Sequence, residues 1–521
     1  MLINYKFTLK EVLMIKELKI YFTSDLHGYI YPTDYIEKSK KNIGLLNIIN
    51  QFDKDGNTLI IDGGDTIQGS PFTNYLSNTE FEVHPIASIM NEGGYDFITL
   101  GNHDFNYGLD YLKNYLSNLN ATCLCANVVD ETGNLPILPY KIKTMENGLK
   151  VGVIGFTTDF INRWERPENI KGINITDTFD SVKEYFDVVK KQCDLTIGIY
   201  HGGFENDLDS HKKLSNTKEN IAYKICAEFD FDILLTGHQH MSIANMNLHG
   251  THIAQTPHNG SKFLKLNLTI DDNNITKITS SLEAVTLNPN KDMYEKFLSL
   301  ENKVQEWLDT PVGFLDTELQ PTDHLHMALN GCALANFINQ IQLETSNADI
   351  SCTSFANVIK GFDKNVTVRD IMSTYPYPNT LVILEVNRDI LKSALERSAS
   401  YFDNNNNNNG SVTISESFLK PKVEHYNYDY FANIEYTFDL NKEINNRVTS
   451  IKYKGQELSD GQVLSLVMNN YRASGAGGYD FYQNCTVLKE ILVEMPEVII
   501  NYFKSNSNVK VDKSTYLKTI I

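Results

Sequence analysis

Apolar and polar residues alternate along the first half of the chain in the manner of short strands separated by helices. Runs rich in β-branched and aromatic residues predict strands at 18–24, 57–62, 96–100, 149–156, 195–200 and 232–236. Helical stretches lie between these runs, a pattern that favours sheets covered by helices. Two further strands, HIAQT and FLKLNLTI, are predicted as a pair that closes this half near 270–285.

An amphipathic helix is predicted after Pro289, in KDMYEKFLSLENKVQEWL. Its apolar side chains recur every three or four residues, at Met293, Phe297, Leu300, Val304 and Trp307. A helix with one apolar face must bury that face, and it suits a connection between two domains.

The pattern of apolar residues in the second half of the chain predicts another mixed α/β unit. Helices are expected across MALNGCALANFINQIQLE and RDILKSALERSASYF, and strands at TLVILEVN, IEYTFDL and QVLSLVMNN. The polar run DNNNNNNGS has nothing apolar to bury and predicts a loop. The expected division is an extension at 1–17, of which 1–13 are dispensable, a first domain at 18–287, a linker helix at 288–312 and a second domain at 313–521.

Composition narrows the functional classes. Of the 521 residues, 41% are hydrophobic, which is enough for two sizeable cores and excludes global disorder. The net charge of −19 argues against binding a nucleic-acid polymer or an anionic membrane through a basic face. A small anionic substrate stays possible, because a metal cluster can make one cleft locally positive.

Targeting signals and cysteine motifs add little. Charges interrupt every apolar run in the first 25 residues, and no later window approaches a membrane span. Among seven cysteines the only close pair is Cys123 and Cys125, whose C-x-C spacing is a poor zinc motif. We therefore expect free thiols, no membrane association and a cytoplasmic protein.

The carboxyl ends of the first-half strands carry the candidate chemistry. In an open α/β sheet the ligand site lies in the crevice at those ends. One Asp-x-His is more often a surface pair, but five successive strand ends here offer nitrogen or oxygen donors. These donors are Asp25, His27, Asp65, Asn102, His201, His238 and His240.

The donor set indicates divalent metals. Imidazole, carboxylate and amide donors without a nearby thiolate suit Zn²⁺, Mn²⁺, Fe or Co²⁺ rather than Ca²⁺ alone. Seven donors are too many for one ion, so a two-metal site bridged by Asp65 is expected. Asp25 and His27, two residues apart, would reach one ion from the same side of an extended chain.

The order D-x-H, G-G-D, G-N-H-D, H-G-G and G-H-x-H resembles the calcineurin-like metallophosphoesterases. The resemblance implies an α/β fold in which a four-layer αββα sandwich carries the metals. It places Asp25, His27, Asp65 and His240 on one metal. It places Asp65, Asn102, His201 and His238 on the other.

The expected chemistry is in-line phosphoryl displacement. Two cations about 3.5–4 Å apart hold a bridging hydroxide and take up charge from the attacking and leaving oxygens. Neutral Asn102 supplies an oxygen without adding negative charge beside an anionic substrate. His103 is predicted to stabilise the transition state or protonate the leaving oxygen, with a packed structural imidazole as the alternative. Asp104 is expected to brace the loop.

A longer resemblance covers both halves. DGGDTIQGSPFTNYL, GNHDFNYGLDYL, YPYPNTL and NNYRASGAGGY resemble the two-domain 5′-nucleotidase superfamily, most of all its 2′,3′-cyclic-nucleotide 2′-phosphodiesterase/3′-nucleotidase branch. The resemblance implies a C-terminal α/β nucleotide-binding domain that holds the base between Tyr377 and Tyr471, with Asn379 at the base edge. From the residues alone, either tyrosine could equally be core. Tyr375 would project away from Tyr377 in an extended chain.

Three departures from the 5′-nucleotidase pattern favour the 3′-nucleotidase branch. The segment SCTSFANVIKG has no arginine to grip phosphate, and Phe355 and Asn357 occupy it as substrate-binding candidates. Gly477 stands where that pattern has a ribose-binding Asp. Asn106 stands where it has an Asp that pairs with the catalytic His, so Asn106 would orient His103 without raising its basicity by charge.

The leading hypothesis is a hydrolase that opens a 2′,3′-cyclic nucleotide to the 3′-nucleotide and then releases nucleoside and phosphate. The first alternative is a 5′-nucleotidase or a nucleotide-sugar or dinucleotide hydrolase with the same metals. The second is a nucleotide-binding protein without catalysis, although no metal ligand is missing. The resemblance implies exported relatives, in contrast to the cytoplasmic expectation. Metal identity, base preference and oligomeric state stay open.

Overall fold

A computed structural model describes residues 15–213, 218–271, 274–377, 379–404, 412–506 and 509–521. The segment 1–13 lies outside the described residues, as does the Asn-rich run from 405 onwards. The boundaries of the four predicted segments stay predictions.

The first domain contains two large sheets and the helices that cover them. Its strands are, in chain order, β1 (Lys16–Thr23), β2 (Thr58–Asp62), β3 (Phe97–Ile98), β4 (Thr122–Leu124), β5 (Val128–Asp130), β6 (Ile137–Leu138), β7 (Tyr140–Thr144), β8 (Lys150–Thr157), β9 (Ile173–Ile175), β10 (Leu195–His201), β11 (Ile233–Thr236), β12 (Ile243–Leu248), β13 (Thr251–Gln255), β14 (Lys262–Asp271) and β15 (Asn274–Ala284). Its helices are α1 (Leu45–Ile49), α2 (Pro71–Ser77), α3 (Pro85–Gly93), α4 (Leu109–Ser117), α5 (Ile161–Trp164), α6 (Thr178–Lys190) and α7 (Ala222–Glu228).

The two sheets form the predicted four-layer sandwich. One has the order β15-β14-β1-β2-β3-β4-β6 and the other β12-β13-β11-β10-β8-β7. Apolar side chains from both sheets, such as Ile20, Val153 and Ile197, pack together between them. Helices α6 and α7 cover the second sheet, and α3 and α4 cover the first. The αββα prediction is therefore confirmed.

The linker helix is also confirmed, as α8 (Lys291–Leu308). It begins where the Asn290 side chain accepts a hydrogen bond from the Met293 N–H. Val304 and Leu308 are buried in the apolar core that covers the first sheet. Met293, Phe297 and Trp307 are partly buried and pack against this core. The apolar face predicted from spacing is thus the face that packs.

The second domain is a mixed α/β unit. Its strands are β16 (Pro311–Phe314), β17 (Ile350–Thr353), β18 (Asn365–Thr367), β19 (Leu381–Asn387), β20 (Phe402–Asn404), β21 (Val412–Ile414), β22 (Tyr430–Ala432), β23 (Glu435–Asp439), β24 (Val448–Tyr453), β25 (Gln456–Glu457), β26 (Val463–Asn469), β27 (Val487–Ile491) and β28 (Leu517–Ile520). Its helices are α9 (His324–Asn330), α10 (Ala333–Ser346), α11 (Val368–Thr374), α12 (Arg388–Ala399), α13 (Asn470–Ala473) and α14 (Met495–Ser505). The central sheet has the order β22-β17-β26-β19-β27.

Three predictions of secondary structure were wrong in detail. The helix expected across 327–344 is two helices, because Gly331 adopts a φ of +75° that continues neither. The helix expected to reach Phe402 ends at Ala399, since Phe402 pairs with Ile414 in a hairpin. HIAQT and FLKLNLTI do not pair with each other: β13 pairs with β11 and β12, whereas β14 pairs with β1 and β15.

Buried polar contacts join the second domain to the linker. The Arg369 guanidinium donates to the Tyr35 carbonyl oxygen at 2.9 Å and to Asp309 Oδ1 at 2.8 Å. The Tyr35 hydroxyl donates to Glu301 Oε2 at 3.1 Å. These contacts fix α11 against α8 and against the loop that follows β1.

All seven cysteines are free thiols. Within the described ranges, no helix has the length and apolar character needed to cross a bilayer.

Candidate metal and substrate site

The predicted ligands lie together at one edge of the sandwich. Strands β1, β2 and β3 of the first sheet, and β10 and β11 of the second, end at this edge and lead into the loops that carry them. The parallel pairing of β1 with β2, β2 with β3 and β10 with β11 puts these strand ends side by side. The sheet order thus assembles residues far apart in sequence, as the strand-end pattern predicted.

Two groups of ligand atoms form at this edge. Atoms of Asp25, His27 and His240 lie within 4.8 Å of one another, and so do atoms of Asp25, Asp65 and His201. The Nε2 atoms of His27 and His240 are 3.2 Å apart. His201 Nε2 is 3.2 Å from Asp65 Oδ2. Asp25, rather than Asp65, belongs to both groups, so the bridging role of Asp65 stays a prediction.

Asn102 and His238 complete the set. His238 Nε2 donates to the Glu219 carboxylate at 3.0 Å, which leaves Nδ1 with its lone pair. That nitrogen lies 3.0 Å from the Asn102 side-chain oxygen. Two lone-pair donors so close together suit a shared cation, and the carboxylate behind the imidazole fixes its orientation.

The protonation states also fit a metal site. Burial lowers the pKa of His27 to about 4 and that of His240 to about 3, so both imidazoles are neutral at pH 7. Burial opposes charge on His201 as well, yet the Asp65 carboxylate raises the pKa of His201 to about 10. This buried pocket therefore strongly favours a positive charge beside its carboxylates.

One buried ring nitrogen among the candidate ligands makes no hydrogen bond. His201 Nδ1 donates to the Gly63 carbonyl oxygen at 2.7 Å, and its buried Nε2 makes no hydrogen bond. His27 is oriented in the same way, since its Nδ1 donates to the Gln68 carbonyl oxygen at 3.1 Å. In both rings Nε2 is left for a metal, so the residues present fit divalent cations.

The backbone of the ligand loops is strained. Positive φ angles are uncommon for residues other than glycine. Five of the seven candidate ligands adopt them, at 55° for Asp25, 48° for His27, 55° for Asp65, 68° for His238 and 56° for His240. Such strain clusters at functional sites, where the surrounding structure must enforce it. The expectation that Asp25 and His27 lie in extended chain was therefore wrong: the Asp25 and His27 N–H groups donate to Gly64 and Asp65 carbonyl oxygens, and these bonds turn the loop.

Asp104 enforces this geometry. Its carboxylate accepts hydrogen bonds from the N–H groups of Asp65, Thr66, Ile67 and Gly101 at 2.8–3.1 Å. It thereby joins the loop after β2 to the loop after β3, which is the bracing role predicted for it. Gly64 allows the close approach, because a Cβ there would lie 2.3 Å from the Gly101 nitrogen.

His103 lies beside the ligands. The centroid of its ring lies 5.5 Å from that of the His27 ring, and the backbone N–H of His103 donates to Asp65 Oδ1 at 2.7 Å. Its Nδ1 donates to the Asn106 side-chain oxygen at 2.8 Å. His103 is half-buried at the rim of the cluster, a position suited to a proton donor.

The second domain faces this cluster. The Lys422 ammonium donates to the His238 carbonyl oxygen at 3.4 Å, across the domain boundary. Tyr377 is 37% exposed, whereas Tyr375 is buried, so only Tyr377 is available to a ligand. Burial raises the pKa of Tyr471, and the charge of Glu219 in the first domain raises it further. Glu219 itself accepts a hydrogen bond from His238, one of the candidate ligands.

Comparisons with known proteins agree with this arrangement. The family description "Calcineurin-like phosphoesterase" matches residues 18–242, and "5′-nucleotidase, C-terminal domain" matches residues 311–484. A solved structure of a putative 5′-nucleotidase from Staphylococcus aureus, in complex with alpha-ketoglutarate, is 34% identical and has a TM-score of 0.89. That match covers 97% of this chain and 100% of the other.

The chain belongs to the calcineurin-like phosphoesterases that carry a 5′-nucleotidase C-terminal domain.

Two curated members of this family extend the comparison. The chain is 26% identical to the trifunctional nucleotide phosphoesterase protein YfkN of Bacillus subtilis, over 94% of its own length but only 38% of that longer protein. It is 25% identical to a 2′,3′-cyclic-nucleotide 2′-phosphodiesterase/3′-nucleotidase of Yersinia enterocolitica, over 88% of its length and 80% of the relative. Family membership and the donor cluster identify the protein as a phosphoester hydrolase.

Two of the predicted substrate residues are placed elsewhere. Phe355 is 2% exposed and packs on Tyr430 in the core, so its assignment to the substrate was wrong. Asn357 is exposed, but its side chain binds the Val423 carbonyl oxygen and the His425 N–H. It therefore holds the loop from which Lys422 extends, an indirect role that the sequence did not indicate.

Four further residues at the site carry no motif. Glu219 lies between the motifs that carry His201 and His238, and Lys422 lies outside all the sequence motifs that resemble the family. The Trp164 ring stacks on His238 with centroids 5.6 Å apart. The Lys422 ammonium lies 5.8 Å from the centroid of the Tyr426 ring. Only the fold brings these side chains to the site, so no local pattern marks them.

Proposed function

We propose that this hydrolase acts on small nucleotides, first opening a 2′,3′-cyclic phosphate to the 3′-nucleotide and then releasing nucleoside and inorganic phosphate. Each step consumes one water. The first breaks the bond between phosphorus and the 2′ oxygen, and the second breaks the bond to the 3′ oxygen. The observation that favours this reaction over 5′-nucleotide hydrolysis is the glycine at position 477.

Gly477 occupies the place of the ribose-binding acid in the 5′-nucleotidase pattern. It has a φ of +73°, and a Cβ there would lie 2.1 Å from Asn427 Oδ1 and 2.4 Å from Arg472 Nη1. A side chain at this position would be strained by the positive φ and would displace the Asn427 and Arg472 side chains. Without an acid to bind its hydroxyls, the ribose can present its 2′ and 3′ edge to the donor cluster. The relative from Yersinia enterocolitica is named for hydrolysis at those positions.

The first domain supplies the reaction centre in this proposal. Asp25, His27, Asp65 and His240 would hold one divalent ion, and Asp65, Asn102, His201 and His238 the other. When bound, the ions supply positive charge to the phosphate oxygens. His103 then gives the proton of Nε2 to the departing ribose oxygen and keeps the Nδ1 proton, which the Asn106 side-chain oxygen holds.

The second domain would bind the nucleoside. Tyr377 and Tyr471 stack on the base, with Asn379 at its edge, and each stacking contact is worth about 1–3 kcal/mol. Stacking tolerates different bases, because every base has a π-face. The phosphate is drawn to the cluster by the metals and by the Lys422 ammonium.

A time course with 2′,3′-cyclic AMP tests this proposal. With Mn²⁺ present, 3′-AMP should accumulate first and adenosine with phosphate should follow, and removal of the metal by a chelator should stop both steps. Formation of 2′-AMP, or no turnover with any of Mn²⁺, Zn²⁺ and Co²⁺, would contradict it.

A second candidate is a 5′-nucleotidase. The name of the Staphylococcus aureus structure favours it, and that structure has the higher sequence identity. The two candidates share the metal cluster and differ in which ribose edge faces it.

A further inference from the structure

A chain of hydrogen bonds leads from His103 to a half-buried carboxylate that no motif marks. His103 Nδ1 donates to Asn106 Oδ1 at 2.8 Å, and Asn106 Nδ2 donates to Glu165 Oε2 at 2.5 Å. Glu165 directly follows α5, 59 positions along the chain from Asn106, and lies outside every block that resembles the family.

Glu165 is itself held in place. Its second oxygen, Oε1, accepts hydrogen bonds from Asn169 Nδ2 and from the Arg166 N–H, both at 2.8 Å. The Asn169 side chain also donates to the Asn106 carbonyl oxygen at 2.9 Å. Both carboxylate oxygens of Glu165 thus face donors, and an ionised carboxylate can only accept.

This arrangement fixes the orientation of the Asn106 amide. Its NH₂ group must face Glu165, so its oxygen must face His103. The His103 Nδ1 proton is held by that oxygen, and any proton exchanged with a substrate is carried on the other ring nitrogen, Nε2.

We propose that Glu165 is a positioning residue for catalysis, which acts through Asn106 to fix the tautomer and orientation of His103. Its carboxylate provides, one hydrogen bond further away, the negative charge that an acid at position 106 would place directly beside the imidazole. This inference rests on the proposed role of His103 as the proton donor.

The same geometry explains why position 106 is an asparagine. An aspartate there would direct a carboxylate oxygen at Glu165 Oε2, at the 2.5 Å separation that the amide nitrogen now occupies. Two carboxylates at that distance repel unless they share a proton. An asparagine at position 106 is therefore explained by its contact with Glu165. This explanation is independent of the branch of the family to which the chain belongs.

Replacing Glu165 by glutamine reverses the chain of hydrogen bonds. The glutamine oxygen is retained by the two donors from Arg166 and Asn169, so its NH₂ group faces Asn106. The Asn106 amide then turns its oxygen to this group and presents NH₂ to His103, which forces the imidazole proton from Nδ1 to Nε2. With no proton on Nδ1, donation of the Nε2 proton would leave an imidazolate. We therefore expect kcat to fall about 10- to 100-fold, in the range seen when partners behind functional side chains are removed, with KM nearly unchanged.

The double variant N106D/E165Q exchanges the two groups and should restore activity. The carboxylate introduced by N106D accepts from His103 Nδ1 and from the glutamine NH₂, while the glutamine oxygen keeps its two donors. The kcat of this variant should recover to within about fivefold of wild type, since every donor regains an acceptor. E168Q is the matched control, because Glu168 is exposed on the same segment, and it should behave as wild type.

A spectroscopic measurement separates this inference from the proposed function. In zinc-loaded protein labelled with ¹⁵N-histidine, long-range ¹H–¹⁵N spectra report the tautomer of His103, assigned by loss of its signals in H103Q. Nδ1–H in wild type and in N106D/E165Q, with Nε2–H in E165Q, supports the proposal even if no nucleotide is hydrolysed. Nδ1–H in E165Q, an unchanged kcat in E165Q, or a double variant no better than E165Q would overturn it.

Discussion

The change of Asp104 to Asn tests how the two ligand loops are held together. Asp104 Oδ1 accepts from the N–H groups of Thr66 and Ile67, and Oδ2 accepts from those of Asp65 and Gly101. Asparagine has one oxygen, so two of these four donors would meet an NH₂ group instead. The variant should lose two hydrogen bonds and leave two buried donors without acceptors.

The magnitude follows from those four contacts. Hydrogen bonds to charged groups contribute about 1.5–3 kcal/mol each, so two of them contribute about 3–6 kcal/mol. Burial and the Asp65 charge raise the pKa of Asp104, which means that removing its charge returns part of this loss. We therefore expect the lower value, about 3 kcal/mol, and a fall in Tm of about 6–12 °C.

Thermal unfolding of D104N provides the assay, with D187N as the control because Asp187 is exposed on α6. D187N should unfold as wild type does. Turnover by D104N should fall about 100-fold at temperatures where it is folded, since loss of the brace lets Asp65 and His103 move by an ångström or so. A Tm within about 2 °C of wild type would show that these four hydrogen bonds do not determine the loop geometry.

Three further predictions concern catalysis, the domain boundary and pH. H103A should retain its metal content and lose turnover by about 10²–10⁴-fold, whereas equal turnover in the variant and the wild type would remove the catalytic role of His103. K422M should raise KM for dianionic 3′-AMP more than for monoanionic 2′,3′-cyclic AMP, because it removes a positive charge next to His238; the same change for both substrates would show that Lys422 does not contact phosphate. For Glu301, burial raises the pKa from 4.5 to about 7. Between these two pH values the folded protein binds more protons than the unfolded chain. The free energy of unfolding therefore falls as pH rises from 4.5 to about 7. E301Q should lack this loss and should gain up to about 3 kcal/mol relative to wild type between pH 4 and pH 8, and a difference in unfolding free energy that is constant over this range would contradict the assignment.

Much of the fold was predictable because its signals are local. The linker helix α8 follows from the three- and four-residue spacing of Val304 and its neighbours, and the sandwich strands follow from short β-branched runs. The break at Gly331 was missed because an isolated glycine in an apolar helical pattern is often tolerated. Strand partners were missed for β13 and β14, since a sequence pattern does not say which sheet a strand joins.

The site divides in the same way. Asp65 and His201 could be named because each lies in a short motif at the end of a buried strand. Glu165 and Glu219 could not, because they act through long-range hydrogen bonds to Asn106 and His238, and only the tertiary structure creates those pairs. Phe355 was misassigned because one position in a resemblance says nothing of whether the side chain is buried.

The relative rates for three nucleotides test whether the enzyme prefers a phosphate on the 2′ or 3′ oxygen of the ribose. Initial rates for 2′,3′-cyclic AMP, 3′-AMP and 5′-AMP, measured with Mn²⁺ at equal subsaturating concentrations, give the ratios of kcat/KM. Both substrates with phosphate on the 2′ or 3′ oxygen should be hydrolysed faster than 5′-AMP, because Gly477 leaves no side chain to hold the ribose in the other direction. Hydrolysis of 5′-AMP at a higher rate than 3′-AMP would contradict this preference.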